Sequence, residues 1–480
     1  MGKIEKNVEN EYGIPDKVYE NRNAILITVL IGILMSVLDG YMVTIALPTI
    51  TTQFNISLSF SQWIITGYLA VMTGFFIFFG KISEYTGKTK LFIIGWILFT
   101  LSSLACGFAT NITLLIIFRI VQALGASMVA GVSGAIIFHS FPPTEIGKAM
   151  GYFGAVVAIG SLIGPGIGGY ITNTIGWQYI FLINVPIGIF LLILAFKYLI
   201  IPETTTSHLN LDWIGSISLV ILVASLMLAC GEYAQDLAIN TPLILYGVIF
   251  IVSLITFLWQ ESICENPLLE INLFHNKLFT LPVLSVFIFS VALNMAIVIG
   301  PFYLQGVMSY SPSQVGLLFM LVPLAMMFAS PLGGKLYDKY HSKYASGLGM
   351  FISTISFILL GYGYILSNIY IIIGSLFLWG IGQGLFTSPN STETMSALPH
   401  EKTAIASSVL TTAKSLGGAL GVSFASILTL IGLNITGYNG KILLAGPQLL
   451  SNSISTIMFI AGFLCFIATI TSILRNFRRI

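Results

Sequence analysis

Residues 24–48 read AILITVLIGILMSVLDGYMVTIALP, 25 positions of which only Asp39 carries a charge. About 20 apolar residues in a helix cross the roughly 30 Å hydrocarbon layer of a bilayer. A carboxylate at that depth costs ~3 kcal/mol or more unless it is paired, protonated or facing water. One stretch therefore announces both a membrane-spanning helix and a buried titratable group of the kind that function retains.

The rest of the chain repeats the first half of that statement. Of its 480 residues 56% are hydrophobic and 8% charged, with a mean hydropathy of +0.95, whereas soluble domains carry about 25% charged residues. The fold class expected is an all-α polytopic membrane protein. Cys106, Cys230, Cys264 and Cys465 are scattered without paired spacing, which points to neither a disulfide framework nor a metal site. Residues 1–23 are polar and mixed in charge and read as a solvated tail. The first apolar run is too long for a signal-peptide core and lacks a small-residue cleavage site.

Fourteen apolar runs can be marked, near 24–48, 59–79, 90–109, 112–138, 149–173, 179–201, 211–231, 241–260, 278–304, 314–333, 345–366, 369–389, 403–433 and 453–475. All but three of the 20 Lys and Arg fall on one side of this array, with both termini. Lys441 falls on the other side, and Arg119 and Lys414 fall inside spans. The positive-inside rule then places both termini in the cytoplasm, as an even number of spans requires.

An internal repeat is visible. The loop Gly80-Lys81-Ile82-Ser83-Glu84 is answered by Gly334-Lys335-Leu336-Tyr337-Asp338, so that Gly80 to Gly334 and Glu84 to Asp338 are both 254 residues apart. Like-oriented repeats about an axis along the membrane normal are a transporter architecture. The expected organisation is a tail (1–23), a six-helix bundle (24–201), a linker with two additional spans (202–277), a second six-helix bundle (278–475) and a short cytoplasmic end (476–480). Gly80, Glu84, Gly87, Lys88 and Asp338 read as a latch between the bundles on the cytoplasmic face, or else as plain topology charge.

The fifth run contains GSLIGPGIGG, residues 160–169. Gly160, Gly164 and Gly168 form one stripe, which lets helix backbones approach closely in lipid. Pro165 removes a helix hydrogen bond, and Gly169 ends the pattern. Close packing and a bend suit a gate between the two bundles.

This segment resembles the antiporter motif of the major facilitator superfamily. Leu38-Asp39 through Ala46-Leu47-Pro48 resembles the first-span motif of its fourteen-span drug:proton antiporter branch, with Tyr41 where that branch usually has Thr and Thr44 where it has Asn. Trp63, Thr66, Gly67 and Tyr68 look like its second span. Gly80 to Lys90 resembles the superfamily loop motif, with Glu84 for Asp and Tyr85 for Arg. Arg119 to Gly125 is similar to the fourth-span motif, with Ala123 for Gly. Trp177 to Gly188, Pro267 to Phe274 and Tyr303-Leu304-Gln305 complete a likeness covering residues 24 to 475. The resemblance implies proton-driven export of drugs, quaternary ammonium compounds or tetracyclines by alternating access, with the proton gradient and no cofactor as energy source. It also implies a monomer in the plasma membrane of a prokaryote, with lipid, protons and a small amphiphile as partners and no nucleic acid.

The residues make sense of this on their own terms. Arg119, inside a span, needs a partner or water. Gln122 lies three residues on and shares its face. Asp39 and Arg119 can meet at a similar depth. Desolvation of Asp39 would favour its protonated form, and Arg119 or water would restore the carboxylate, so Asp39 is the expected proton carrier; a static structural pair is the alternative. Lys414 either snorkels to the inner face or lines the cavity. Candidate substrate contacts are Tyr41, Trp63, Tyr68, Gln122, Asn294, Tyr303, Gln305, Gln383 and Asn390. With Asp39 the sole deep acid, neutral or monocationic amphiphiles are expected. A Walker A motif, HExxH and a serine nucleophile elbow are missing from the sequence, which argues against an ATP-driven pump or a hydrolase. Export of a metabolite such as an amino acid, sugar or siderophore is the second reading, and a non-transporting receptor the third.

Overall fold

The computed structural model describes residues 15–199, 201, 212–236, 238–264, 271–340, 344–398, 403–438 and 446–474. Among the described residues the regular structure is helical: α1 (Asp16–Gln53), α2 (Leu58–Ser61), α3 (Trp63–Thr86), α4 (Lys88–Gly107), α5 (Ile112–Ser140), α6 (Pro143–Thr174), α7 (Tyr179–Leu182), α8 (Asn184–Tyr198), α9 (Trp213–Asp236), α10 (Thr241–Ile263), α11 (Lys277–Gly306), α12 (Pro312–Phe319), α13 (Leu321–Tyr340), α14 (Ala345–Ile365), α15 (Ile369–Ser396), α16 (Thr403–Ile435) and α17 (Pro447–Leu474). Helices dominate because every backbone N–H and C=O in hydrocarbon must be satisfied within its own segment. Among the described residues thirteen stretches are long and apolar enough to cross a membrane; α7 with α8, and α12 with α13, each form one of them. The fourteenth expected span is α3, whose apolar part, Trp63–Phe76, is shorter.

Several helices run past the expected boundaries, the first of them most clearly. The first helix starts at Asp16, eight residues before the apolar run. Val18 is buried, Arg22 stacks on Tyr19, and its Nε lies 3.1 Å from Glu145 of α6. Local charges thus carry the helix beyond the hydrocarbon and moor it to a neighbour.

The two bundles repeat one another in detail. A Cβ on Gly95 of α4 would meet the carbonyl of Gly125 of α5 at 2.8 Å, and one on Gly349 of α14 would meet that of Gly382 of α15 at 2.7 Å. Gly95 and Gly349 share the 254-residue offset of the loop repeat. Asn111 caps α5 through Leu114 N–H, and Asn368 caps α15 through the N–H groups of Tyr370 and Ile371. Lipid offers apolar side chains no less than the protein does, so these close glycine approaches, and not hydrophobic burial, hold helix to helix.

The inserted helices α9 and α10 sit against the seam between the bundles. Leu219, Val223 and Met227 of α9 join Trp63 and Leu69 of α3 and Leu416, Ala419 and Leu420 of α16 in one apolar cluster. Helix α10 packs on α9 and leaves Leu245, Val252 and Ile255 exposed, a face fit for lipid.

For orientation, the end of the array where α3 runs into Lys88 is the lysine-rich face, and the opposite end, where α11 meets α12, is the far face.

Candidate functional site

Asp39 is fully buried in α1 and Arg119 is nearly so in α5. Arg119 Nη1 donates to Asp39 Oδ2 at 2.5 Å and to Gln122 Oε1 at 2.7 Å. The guanidinium also donates through Nε to the Ile64 carbonyl at 3.3 Å and lies 4.2 Å from the centre of the Tyr68 ring. The other carboxylate oxygen, Asp39 Oδ1, accepts from Asn184 Nδ2 at 2.9 Å and from Gln122 Nε2 at 3.2 Å. Gln122 Nε2 donates in turn to Ser103 Oγ at 2.7 Å.

Four spans therefore converge on one carboxylate. Arg119 and Gln122 reach it together because they lie three residues apart on α5, on one helix face. Ser103 comes from α4, and Asn184 is the first residue of α8. Both carboxylate oxygens are satisfied without water, and the pair is neutral overall, which is what makes its burial tolerable. One buried polar atom in the cluster is left over: Asn184 Oδ1 has no hydrogen-bond partner among the described residues. The cluster is not duplicated in the second bundle, where the 254-residue offset carries Asp39 to Leu293 and Ser103 to Phe357.

A pocket lies beside this cluster, between the bundles. It holds about 40 Å³ of open space and is lined by Tyr41, Thr44 and Ile45 of α1, Ser161 and Pro165 of α6, Ile297 of α11, Phe319 of α12, Val322, Pro323 and Met326 of α13, and Trp379 and Gln383 of α15. A mostly apolar wall with a few polar groups is the lining expected of a small-molecule site. Pro165 has no N–H to offer Ser161, four residues earlier, so the Ser161 carbonyl lacks its usual helix partner at the pocket wall. The lining contains no carboxylate and no ammonium.

Of the expected substrate contacts, Tyr41 and Gln383 line this pocket. Tyr68 and Gln122 belong to the Asp39 cluster. Trp63 instead packs on Gly231 of α9. Asn294 Nδ2 donates to the Ser290 carbonyl within α11. Tyr303 stacks on Tyr364 with centroids 4.0 Å apart and donates to its carbonyl. Gln305 donates to the Ile45 carbonyl at 3.3 Å, and Asn390 to the Pro282 carbonyl at 3.1 Å.

The expected gate divides into two faces of α6. A Cβ on Gly160, Gly164 or Gly168 would strike Val37, Tyr41 or Met42 of α1, all in the same bundle. Contact with the other bundle is made by the residues beside that stripe. A Cβ on Gly169 would meet Pro312 of α12, one on Gly166 would meet Met320, and one on Gly316 would meet the carbonyl of Pro165. Hydrogen bonds join the bundles at the far face: Ser313 Oγ to the Gly169 carbonyl, Gln305 Nε2 to the Ile45 carbonyl, and Thr49 Oγ1 to Gln305 Oε1. On the lysine-rich face, Gly80 of α3 approaches the Gly131 carbonyl of its own bundle and Gly334 of α13 approaches Ser388 of its own. Gly87 joins α3 to α4 with a φ of 97°, a conformation glycine adopts without strain, and Lys88 opens α4. The side chains of Glu84 and Asp338 lie outside the described residues.

The family model of the Major Facilitator Superfamily matches residues 29–422. The chain belongs to the major facilitator superfamily. It is a membrane transporter, and its resemblance to the superfamily's drug-efflux branch holds among its relatives. It is 34% identical to the riboflavin transporter RibZ of Clostridioides difficile, over 84% of this chain and 87% of that protein. It is 29% identical to the multidrug transporter protein MdtP of Bacillus subtilis, over 88% and 77%. It is 28% identical to the multidrug export protein EmrB of Haemophilus influenzae, over 82% and 78%. Among solved structures, a bacterial homologue of the human lysosomal transporter Spinster, described as inward-facing and unoccupied, superposes with a TM-score of 0.69 at 14% identity, over 95% of this chain and 97% of that one. That likeness is one of fold.

Proposed function

We propose that this superfamily member is a proton-coupled exporter of small amphiphilic compounds, working by alternating access in a prokaryotic cell membrane with both termini in the cytoplasm. The observation that carries the reading is the adjacency of two unlike sites. A sealed carboxylate cluster and an apolar pocket shared by both bundles are built on the same stretch of α1, with Asp39 in one and Tyr41 and Thr44 in the other.

The steps follow from that adjacency. While Arg119 holds Asp39, the carboxylate is charged and dry. Movement of α1 or α5 that draws Arg119 away leaves an uncompensated buried acid, which must take a proton or meet water. A substrate wedged against Tyr41 and Thr44 moves that same helix. Protonation at one face and release at the other would link proton entry to substrate exit, while Gly166, Gly169 and Gly316 part or close at the far face. Asp39 is the proton carrier in this scheme and Arg119 its switch. The test is uptake by proteoliposomes under an imposed pH gradient. Gradient-driven accumulation in the wild type and its loss in Asp39→Asn are expected; unaltered accumulation in a folded Asp39→Asn protein would rule the carrier out.

The pocket narrows the substrate. A lining of Tyr41, Phe319 and Trp379 with hydroxyl and amide groups suits a flat ring system with polar edges. A monocation loses its basis, because the one deep acid is already matched by Arg119. Transport of a metabolite stays as a second reading, favoured by the likeness to a riboflavin transporter.

A further inference from the structure

Lys414 stands in α16, and its side chain is exposed although the helix is apolar on either side of it. No hydrogen bond or ion pair reaches it from the described residues. Its neighbours fix the side of the helix on which it lies. Leu416 and Leu420 pack into the cluster shared with α3 and α9, so that side of α16 is covered. Leu416 is two residues on, about 200° round a helix of 3.6 residues per turn, which puts Lys414 on the opposite side. There it is flanked by Gly417 and Gly418, whose Cβ positions abut Phe287 and Asn294 of α11. Lys414 thus lies on the α11 side of α16, away from α9, and is exposed there.

Its height follows in the same way. Ile297 lines the pocket. Asn294 is one turn nearer the lysine-rich face, Gly418 packs on Asn294, and Lys414 is one turn nearer again. At 1.5 Å per residue the two steps amount to roughly 10 Å. In height Lys414 therefore lies between the lysine-rich face and a pocket that itself has no charged lining.

We propose that Lys414 is a substrate-recognition residue, and that the preferred substrates include aromatic amphiphiles carrying an anionic group such as a carboxylate. A lone ammonium in a cleft with low-dielectric walls concentrates anions. Its three donors can hold an acidic group by charge-assisted hydrogen bonds while the ring system enters the pocket beyond. The inference extends the proposed transport function and rests on it for the direction of movement, though not for binding.

The test separates the two. Binding of fluorescein, an anionic aromatic, and of riboflavin, a neutral one, is measured by fluorescence with the purified full-length protein in detergent. Lys414→Gln should weaken fluorescein binding about tenfold, equivalent to ~1.4 kcal/mol, and leave riboflavin binding within twofold; Lys414→Arg should restore fluorescein binding. Absence of fluorescein binding to the wild type, equal affinity in Lys414→Gln, or an equal loss for both ligands would each overturn the proposal. Proteoliposome uptake of riboflavin by wild type and Asp39→Asn, run in parallel, tests the proton coupling alone, so a failure there leaves the binding result standing.

Discussion

Removing the charge of Asp39 while keeping its shape isolates what the carboxylate does. In Asp39→Asn, Arg119 stays buried and loses its counter-charge. Breaking one side of a buried ion pair typically costs 3–5 kcal/mol. Here Arg119 keeps the Gln122 Oε1 contact at 2.7 Å, the Ile64 carbonyl at 3.3 Å and the Tyr68 face, so the loss should fall near the lower end, about 3 kcal/mol. Arg119→Gln alone strands the carboxylate, which Asn184 and Gln122 still solvate, and should cost a similar amount. The double variant Asp39→Asn/Arg119→Gln removes both charges and should recover most of the loss, with a coupling energy of ~2 kcal/mol or more. Thermal melting of the four proteins in detergent measures the cycle, and pH-gradient-driven uptake in proteoliposomes is read on the same samples. A static strut predicts that the stable double variant still transports against its gradient; a proton carrier predicts that it does not. Coupling near zero would refute the ion-pair reasoning, and gradient-driven uptake by the double variant would refute the carrier.

Gly316→Ala places a Cβ against the Pro165 carbonyl and should force the far face open; a Cys at Thr49, in a background with Cys230 and Cys264 replaced by Ser, should then react several-fold faster with a membrane-impermeant maleimide. Gln383→Ala, at the pocket wall, should raise the apparent KM for a transported aromatic about fivefold, the equivalent of one neutral hydrogen bond of ~1 kcal/mol, with melting unchanged. Tyr303→Phe should do the reverse: it loses the bonds to the Tyr364 carbonyl and Ser367, which should cost ~1 kcal/mol of stability and leave KM alone. Arg22→Gln should cost well under ~1 kcal/mol, because both partners of its ion pair are partly exposed.

Much of this was legible before any coordinates, for a physical reason. A bilayer punishes every unpaired backbone group and every stray charge, so spans, the 254-residue repeat and the Asp39–Arg119 pairing leave marks in the sequence. Gln122 could be added because three residues on a helix fix a shared face. Asn184 stood inside a recognised motif but gave no sign of its partner, since its helix begins 145 residues from Asp39. Ser103 is one hydroxyl among many, and in most of them the hydroxyl merely bonds back to its own helix. The pocket was the hardest to read. Ile297, Val322 and Met326 look like lipid-facing residues until the rotation of each helix is known, and aromatic or amide character alone pointed equally to Tyr303 and Asn390, which the structure places in helix packing. The glycine stripe of α6 was visible as a stripe; that its neighbours Gly166 and Gly169 carry the cross-bundle contact depends on where α12 lies.

Helix α9 touches α3 and α16 at once, and those two helices belong to opposite bundles. Any rocking that separates them must peel α9 from one partner or shear it along both. The inserted pair α9 and α10 thus forms a two-span brace on one flank only, while the α6–α12 flank has no such cover among the described residues. A swing hinged by that brace would be lopsided, and greasy molecules dissolved in the surrounding leaflet would find the unbraced flank the easier doorway.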